Sequence, residues 1–117
     1  LEAIIVGIGL NTSTMTFPEE LKDIAVSLST HPVNRNKLIA CIVNELLALQ
    51  KEEHSSVLAQ YRDASMVLHQ QITWMQNGKQ LSGYVKDINN AGNLIVESED
   101  TTHILSSGEV SIKAVAA

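Results

Sequence analysis

Residues 72–88 have the sequence ITWMQNGKQLSGYVKDI, in which two β-rich runs flank an Asn-Gly pair. Asn77-Gly78 is the strongest short-range hairpin signal in the chain, because both residue types tolerate the positive φ angles of a two-residue turn. The run before it, Ile72–Met75, is rich in β-branched and aromatic residues, and the run after it, Leu81–Ile88, alternates roughly as a strand. These residues therefore predict two antiparallel strands joined by a tight turn.

Further short strands follow the hairpin at close and regular spacing. The runs Leu94–Val96 and His103–Leu105 each come after turn-forming residues, and Gly108–Val115 closes the chain. About five short strands in one segment are typical of a small antiparallel barrel. We therefore predict a C-terminal barrel domain over residues 70–117.

Helical patterns occupy the middle of the chain. Apolar residues recur at helical spacing from about Asn34 to Glu53, and Asn34 is a competent N-cap. Ser55 can cap a third, shorter helix around Leu58. These patterns predict a helical layer that precedes the barrel.

The chain opens on the apolar run Ile4–Leu10, which contains two glycines and is closed by Asn11. An unbroken apolar run suits a strand that is buried on both faces, and glycines let a ligand or another backbone come close. The run predicts a buried strand that ends at the floor of a pocket, with a turn or a packing contact as the alternative. Phe17–Leu28 predicts a short helix with one apolar face. The fold class is therefore α+β, with residues 1–69 forming a strand-plus-helices domain.

The composition is that of a globular protein without a basic surface. The chain has 117 residues, of which 44% are hydrophobic and 18% charged, and its net charge is −5. This balance disfavours a nucleic-acid or membrane-binding surface, and no segment is long enough to span a bilayer. The single cysteine, Cys41, excludes a disulfide framework and is predicted to be a buried structural thiol. We expect a cytoplasmic protein.

The sequence contains no complete catalytic or metal-binding constellation. Its four histidines are scattered over different elements without metal-ligand spacing, and it has neither a Walker loop nor a nucleophile elbow. Trp74 and Tyr84 fall on successive strands and could stack on bases. The acidic balance of residues 70–117 instead favours a core or interface role for both rings.

The whole chain resembles the C-terminal part of biotin–protein ligases, a family that includes bifunctional biotin operon repressors. No single motif carries this resemblance; the order and spacing of several motifs do. They are Val6–Asn11, Phe17-Pro18 with the helix through Ala25 to Leu28, Asn34–Leu38, Gly83–Ile88, Ala91–Val96 and Ser107–Lys113.

The resemblance implies a catalytic domain like that of class II aminoacyl-tRNA synthetases, followed by a small SH3-like β-barrel. It also implies an ATP- and Mg²⁺-dependent ligase, which activates biotin as biotinyl-5′-AMP. Such a ligase transfers biotin to a lysine of the biotin carboxyl carrier domain of a carboxylase. The residues implied to lie against biotin are Gly7, Ile8 and Gly9, and those implied to contact the nucleotide are Leu10, Asn11, Glu109 and Lys113.

Two parts of the family's site are missing from this sequence. They are the glycine- and arginine-rich biotin loop, and the lysine-tryptophan-proline-asparagine-aspartate segment that supplies the essential lysine. Because the chain also opens at Leu1 without a methionine, we expect a fragment of a longer parent that is inactive alone and holds no tightly bound cofactor. A homodimer remains open, DNA would be bound only through a helix-turn-helix domain of the parent, and no membrane partner is expected. The alternatives are a non-catalytic interaction module and a fragment of a related lipoate ligase.

Overall fold

The computed structural model describes residues 2–106 and the backbone of residues 112–114. The chain divides into two compact units, Leu1–Gln50 and Lys51–Ala117. In the second unit, five antiparallel strands are ordered β4-β3-β2-β1-β5. Their bounds are β1 Gln71–Gln76, β2 Lys79–Ile88, β3 Leu94–Ser98, β4 Thr101–Leu105 and β5 Ile112–Ala114.

The strands predicted after residue 70 are confirmed within the described residues, but the predicted closure into a barrel is not observed. Strand β5 pairs with β1 through three residues, and β4 pairs with β3 along its whole length. Within the described ranges no ladder joins β4 to β5, so both strands are edges of an open sheet. The remainder of the last predicted strand, at positions 108–111 and 115, lies outside the described residues.

The β1–β2 hairpin forms as its turn residues predict. Asn77 has a φ angle of 51° and Gly78 one of 73°, while Gln76 pairs with Lys79 across the turn. Positive φ at both central residues is the conformation that fits the right-handed twist of the flanking strands. The turn therefore sets the register of the hairpin, which in turn decides which side chains enter the core.

The core of the second unit lies on one face of the sheet. It comprises eight apolar residues: Leu58, Ile72, Trp74, Val85, Ile88, Leu94, Val96 and Leu105. Trp74 is 1% exposed, which confirms its predicted core role, whereas Tyr84 is 42% exposed. Because Tyr84 lies between the two buried residues Gly83 and Val85 on β2, its side chain points to the opposite face. The two aromatic rings therefore do not form a shared stacking platform.

Helix α2, His54–Asp63, packs on this sheet. Leu58 is 7% exposed and belongs to the core. Arg62 donates from Nε and Nη2 to the carbonyl oxygen of Ile88, at 3.1 and 2.6 Å. Nε2 of His54 lies 2.8 Å from the carbonyl oxygen of Asn90. These contacts explain why the second compact unit begins at residue 51, upstream of the domain boundary predicted between residues 69 and 70.

Replacing Arg62 by alanine should lower the free energy of unfolding by about 1–2 kcal/mol, because the carbonyl of buried Ile88 would lose a charged donor. Urea denaturation followed by circular dichroism measures this loss. Lys86→Ala is the matched control, since Lys86 forms its 2.6 Å ion pair with Glu97 at the exposed surface. An equal loss of stability in the two variants would contradict the role of Arg62.

The stabilisation that the exposed Lys86–Glu97 ion pair contributes decreases at high pH. The hydrogen bond that Lys86 donates to the carboxylate of Glu97, followed by the negative charge of that carboxylate, raises the pKa of Lys86 above the ordinary value of 10.5. A raised pKa means that the small stabilisation is present below the unfolded pKa and is lost as the pH rises through the folded one. Because the pair is exposed, water and salt screen it strongly.

The first unit contains helix α1, Arg35–Leu49. The predicted N-cap is confirmed, since Oδ1 of Asn34 accepts from the backbone N–H of Lys37 at 3.1 Å. The helix ends at Leu49, four residues before the predicted end, and none of its residues is buried. The prediction that Cys41 is buried is wrong, because this thiol is exposed. An apolar stripe predicts a helix from local spacing, but its burial needs a partner surface.

The prediction of a buried opening strand is also wrong. Residues 2–10 form no strand, and Ile5 is 97% exposed. A β-strand forms only where a neighbouring strand supplies hydrogen-bond partners for its N–H and C=O groups. None of the described residues does so for this segment.

The short helix predicted over Phe17–Leu28 is reduced to a single 3-10 turn, Glu19–Leu21. Its apolar positions Ile24 and Leu28 are 80% and 59% exposed. Isolated helices of this length are marginal in water without packing of the apolar face, which explains the shortened element. No helix in the described part of the chain is long and apolar enough to cross a membrane.

Candidate functional site

A cavity of about 370 Å³ lies within the first unit, between the end of the opening apolar run and helix α1. Its volume falls within the range of small-molecule sites. Five of its lining residues are apolar and four are polar. They are Ile8, Leu10, Leu38, Ile39 and Ile42, and Asn11, Thr12, Thr14 and Arg35.

Three hydrogen bonds hold the polar rim of the cavity. The backbone N–H groups of Leu28 and Ser29 donate to the carbonyl oxygens of Asn11 and Thr12, at 2.9 and 3.0 Å. The hydroxyl of Ser27 donates to the carbonyl oxygen of Thr14 at 2.7 Å. These bonds use backbone acceptors of residues 11, 12 and 14, so the side chains of Asn11, Thr12 and Thr14 keep their own hydrogen-bonding capacity for a ligand.

The opposite wall of the cavity is the first two turns of α1. Leu38 and Ile42 are half-buried and contribute apolar surface, while Arg35 is exposed at the start of the helix. The first turn carries no acidic residue, although carboxylates are favoured at this positive end of the helix dipole. A cation at the start of α1 therefore has a local electrostatic cost that an anionic ligand would remove.

The cavity brings together some of the site residues predicted from sequence. Ile8, Leu10 and Asn11 line it. Gly7 and Gly9 do not, and a Cβ built on either glycine meets nothing within 4 Å. Glu109 lies outside the described residues. Lys113 is the central residue of β5 in the second unit, where its backbone pairs with Thr73, and its side chain also lies outside the described part.

Sequence reasoning missed the polar residues Thr12, Thr14 and Arg35 as cavity-lining residues. Thr12 and Thr14 belong to a hydroxyl-rich loop, and Arg35 belongs to a motif of the resemblance. One sequence signal was available for Arg35. Together with Lys37 it places two cations in the first helical turn, against the preference set by the helix dipole.

The residues that the structure describes offer no site for a protein-bound metal. They contain no group of three or more histidine, cysteine, aspartate or glutamate side chains that could hold an ion. The donor set therefore does not fit a dedicated Mg²⁺ site, although Mg²⁺ commonly binds through substrate phosphates with few protein ligands.

Comparison with known proteins places the chain beside one family. Residues 68–113 match the family model described as "Biotin protein ligase C terminal domain". The apo biotin protein ligase from Aquifex aeolicus superposes with a TM-score of 0.75 and 16% identity, covering 90% of this chain and 50% of that one. The biotin protein ligase from the same organism in complex with biotin and ATP gives a TM-score of 0.72 and 17% identity, with coverages of 90% and 48%. No curated protein sequence matches the chain.

Identities at this level show likeness of fold. The chain spans about half the length of these solved ligases. The family match begins at residue 68, close to the start of the predicted C-terminal domain, and leaves the first unit outside its range.

Proposed function

Since residues 68–113 match the model of the biotin protein ligase C terminal domain family, we propose that this chain is part of an ATP-dependent biotin–protein ligase. The complete enzyme would join biotin to ATP as biotinyl-5′-AMP and transfer biotin to a lysine of a carboxylase carrier domain. The observation that carries the proposal is the cavity of about 370 Å³, which is lined by Ile8, Leu10 and Asn11 together with Arg35. A solved ligase with the same fold is in complex with biotin and ATP.

The lining of the cavity suits a ligand with an apolar part and a polar or anionic part. Ile8, Leu10 and Ile42 offer apolar surface on which a ring can lie. The amide of Asn11 can both donate to and accept from a ribose hydroxyl. The guanidinium of Arg35 can form paired hydrogen bonds with a phosphate. The proposed roles are therefore nucleotide binding for Asn11 and Arg35 and apolar packing for the others.

Binding, rather than bond making, is the part of the reaction proposed for this chain. Its sequence lacks the biotin loop and the lysine-bearing segment of the family. We propose that these groups are supplied by the rest of the parent and that the chain alone forms no adenylate. Mg²⁺ would arrive with the phosphates of ATP.

The remaining features implied by the resemblance are proposals of the same kind. They comprise the likeness of the first unit to class II aminoacyl-tRNA synthetases and a role for Gly7, Gly9, Glu109 and Lys113 in the complete site. They also include a cytoplasmic enzyme with a biotin carboxyl carrier domain as its partner. A homodimer is one possible assembly of the parent, and DNA would be bound only if the parent has an N-terminal helix-turn-helix domain.

Biotin-dependent exchange between ATP and pyrophosphate tests the proposed activity. The complete protein that contains this chain should catalyse the exchange with biotin, whereas the isolated chain should not. Exchange with lipoate in place of biotin would overturn the substrate assignment. Exchange by the isolated chain would show that the missing segments are not needed.

Asn11→Ala in the complete protein should weaken ATP binding by about 1–3 kcal/mol, because the variant loses one polar contact to the nucleotide in the closed site. Steady-state kinetics at varied ATP concentration measures the rise in KM. Asn44→Ala is the matched control, since Asn44 lies on α1 and does not line the cavity. Equal ATP dependence of the two variants would remove Asn11 from the proposed nucleotide site.

A further inference from the structure

The polar rim of the cavity, residues 11–14, is held by a short tether, residues 27–29. Two bonds run from consecutive backbone N–H groups of the tether to consecutive carbonyl oxygens of the rim. A third bond comes from a side chain, since the hydroxyl of Ser27 donates to the carbonyl oxygen of Thr14 at 2.7 Å. None of the three tether residues lines the cavity. The tether can therefore influence a ligand only through the rim.

The rim has little other support. It belongs to no helix or strand, and within the described residues its backbone forms hydrogen bonds only with the tether. A peptide unit is planar and moves as one body. A bond to the carbonyl oxygen of Thr14 therefore also restricts the direction in which the Thr14 side chain leaves the backbone. Among the described side chains, the hydroxyl of Ser27 is the one that forms such a bond with the rim.

The tether is itself fixed at its C-terminal end. The backbone N–H of His31 donates to the hydroxyl of Ser29 at 3.0 Å, which is a local turn of the kind that serine hydroxyls stabilise. Pro32 follows, and its ring restricts the backbone further. Ser27 and Ser29 are both half-buried. A tether that is ordered before the ligand arrives lowers the ordering cost of binding.

We propose that Ser27 is a positioning residue for nucleotide binding, because its hydroxyl holds the rim with the polar side chains of Asn11 and Thr14 at the cavity. The inference rests on the proposed function, which supplies the nucleotide. It gives a role to a residue that lies outside the cavity lining. Contact groups of a binding site must be held within about 0.5 Å of the productive geometry by the residues that support them. Loss of this support should therefore lower affinity.

Calorimetric titration of the complete protein that contains this chain tests the role of Ser27. The probe is α,β-methylene-ATP, which cannot form an adenylate, with biotin present. Ser27→Ala should weaken binding of the probe by about 3- to 10-fold, while the affinity for biotin alone stays unchanged. Ser27→Thr keeps the hydroxyl and should restore binding. Thr30→Ala is the matched control, since the Thr30 hydroxyl lies beside the tether but bonds to the ring of His31 at 3.2 Å.

Hydrogen exchange in the same protein gives a second readout that needs no ligand. The amides of Leu28 and Ser29 donate to the rim, so they report whether the tether is in place. In Ser27→Ala they should exchange about 2- to 10-fold faster, relative to the intrinsic rate of each sequence. Thr30→Ala should leave them as in the wild type. The amides of β2 provide the internal reference, because β2 lies in the other unit.

Two results would overturn the role of Ser27. The first is equal affinity of Ser27→Ala and the wild type for the ATP analogue. The second is an equal loss of affinity for the analogue and for biotin, which would indicate general loss of structure. No binding of the analogue by the wild type would reject the proposed function instead. Faster exchange at Leu28 and Ser29 in Ser27→Ala would then still support the tether, and unchanged exchange would reject it.

Discussion

Replacing Trp74 by alanine is expected to lower the free energy of unfolding of the Lys51–Ala117 unit by about 3–5 kcal/mol. Trp74 is 1% exposed and is the largest of the fully buried side chains. Its ring packs edge-on against His103 at a centroid distance of 5.2 Å, and its Nε1–H donates to Oε1 of Gln76 at 3.3 Å. Removal of the ring would leave a cavity in the centre of the sheet and break both contacts.

Circular dichroism during urea denaturation is the appropriate measurement, because Trp74 is the only tryptophan and its fluorescence is lost in the variant. Tyr84→Ala provides the matched control on the outer face of β2. Because Tyr84 is 42% exposed, its loss should destabilise the unit far less. If the two variants unfold at the same urea concentration, the core is not centred on Trp74.

If the proposed function is correct, Arg35→Ala in the complete protein that contains this chain is expected to raise the KM for ATP by about 10- to 100-fold, because a hydrogen bond to a charged group contributes about 1.5–3 kcal/mol. Arg35 lines the candidate cavity at the start of α1. If it contacts a phosphate in the bound state, affinity for ATP should fall while affinity for biotin alone stays unchanged. Steady-state kinetics and calorimetric titration with biotin separate the two effects.

Two variants sharpen the test of Arg35. Arg35→Lys should recover part of the ATP affinity, since it keeps the charge but loses the planar pair of donors. Lys37→Ala removes a cation from the same helical turn without altering the lining of the cavity. Equal KM values for Arg35→Ala and Lys37→Ala would mean that only the overall charge of the helix start matters.

Short-range patterns account for the part of the fold that was predicted well. Asn77-Gly78 specifies its own turn, and the strands beside it pair within a few residues along the chain. The N-cap of α1 at Asn34 is equally local, since its partner is the N–H of Lys37. When both partners of an interaction lie within a few residues of each other, the local sequence is enough to predict it, and no knowledge of distant residues is needed.

The opening segment failed as a prediction for the opposite reason. Ile4–Leu10 has the composition of a buried strand, but burial depends on neighbours that are distant in sequence. None of the described residues supplies them, and Ile5 remains 97% exposed. The prediction that Cys41 is buried failed for the same reason. Its thiol is exposed, and no residue of α1 is buried within the first unit.

The resemblance indicated three of the residues that line the cavity. Motif order suggested Ile8, Leu10 and Asn11, and these residues do line one cavity. The sequence contained no local signal that Thr12 and Thr14 would join them. Their position depends on the backbone bonds from Leu28 and Ser29 to Asn11 and Thr12, which connect residues 17 positions apart.

Local patterns in the sequence are sufficient to predict the antiparallel strands, the turn at Asn77-Gly78 and the start of α1, and the order of the motifs indicates the likeness to biotin–protein ligases. Three features depend on contacts between distant residues and are visible only in the fold: Trp74 enters the core while Tyr84 does not, α2 belongs to the sheet unit, and Arg35 lines a cavity. Hydrogen-bonded turns and caps form between near neighbours in the chain. Burial and cavities are properties of surfaces brought together from distant positions, and so appear only once the chain has folded.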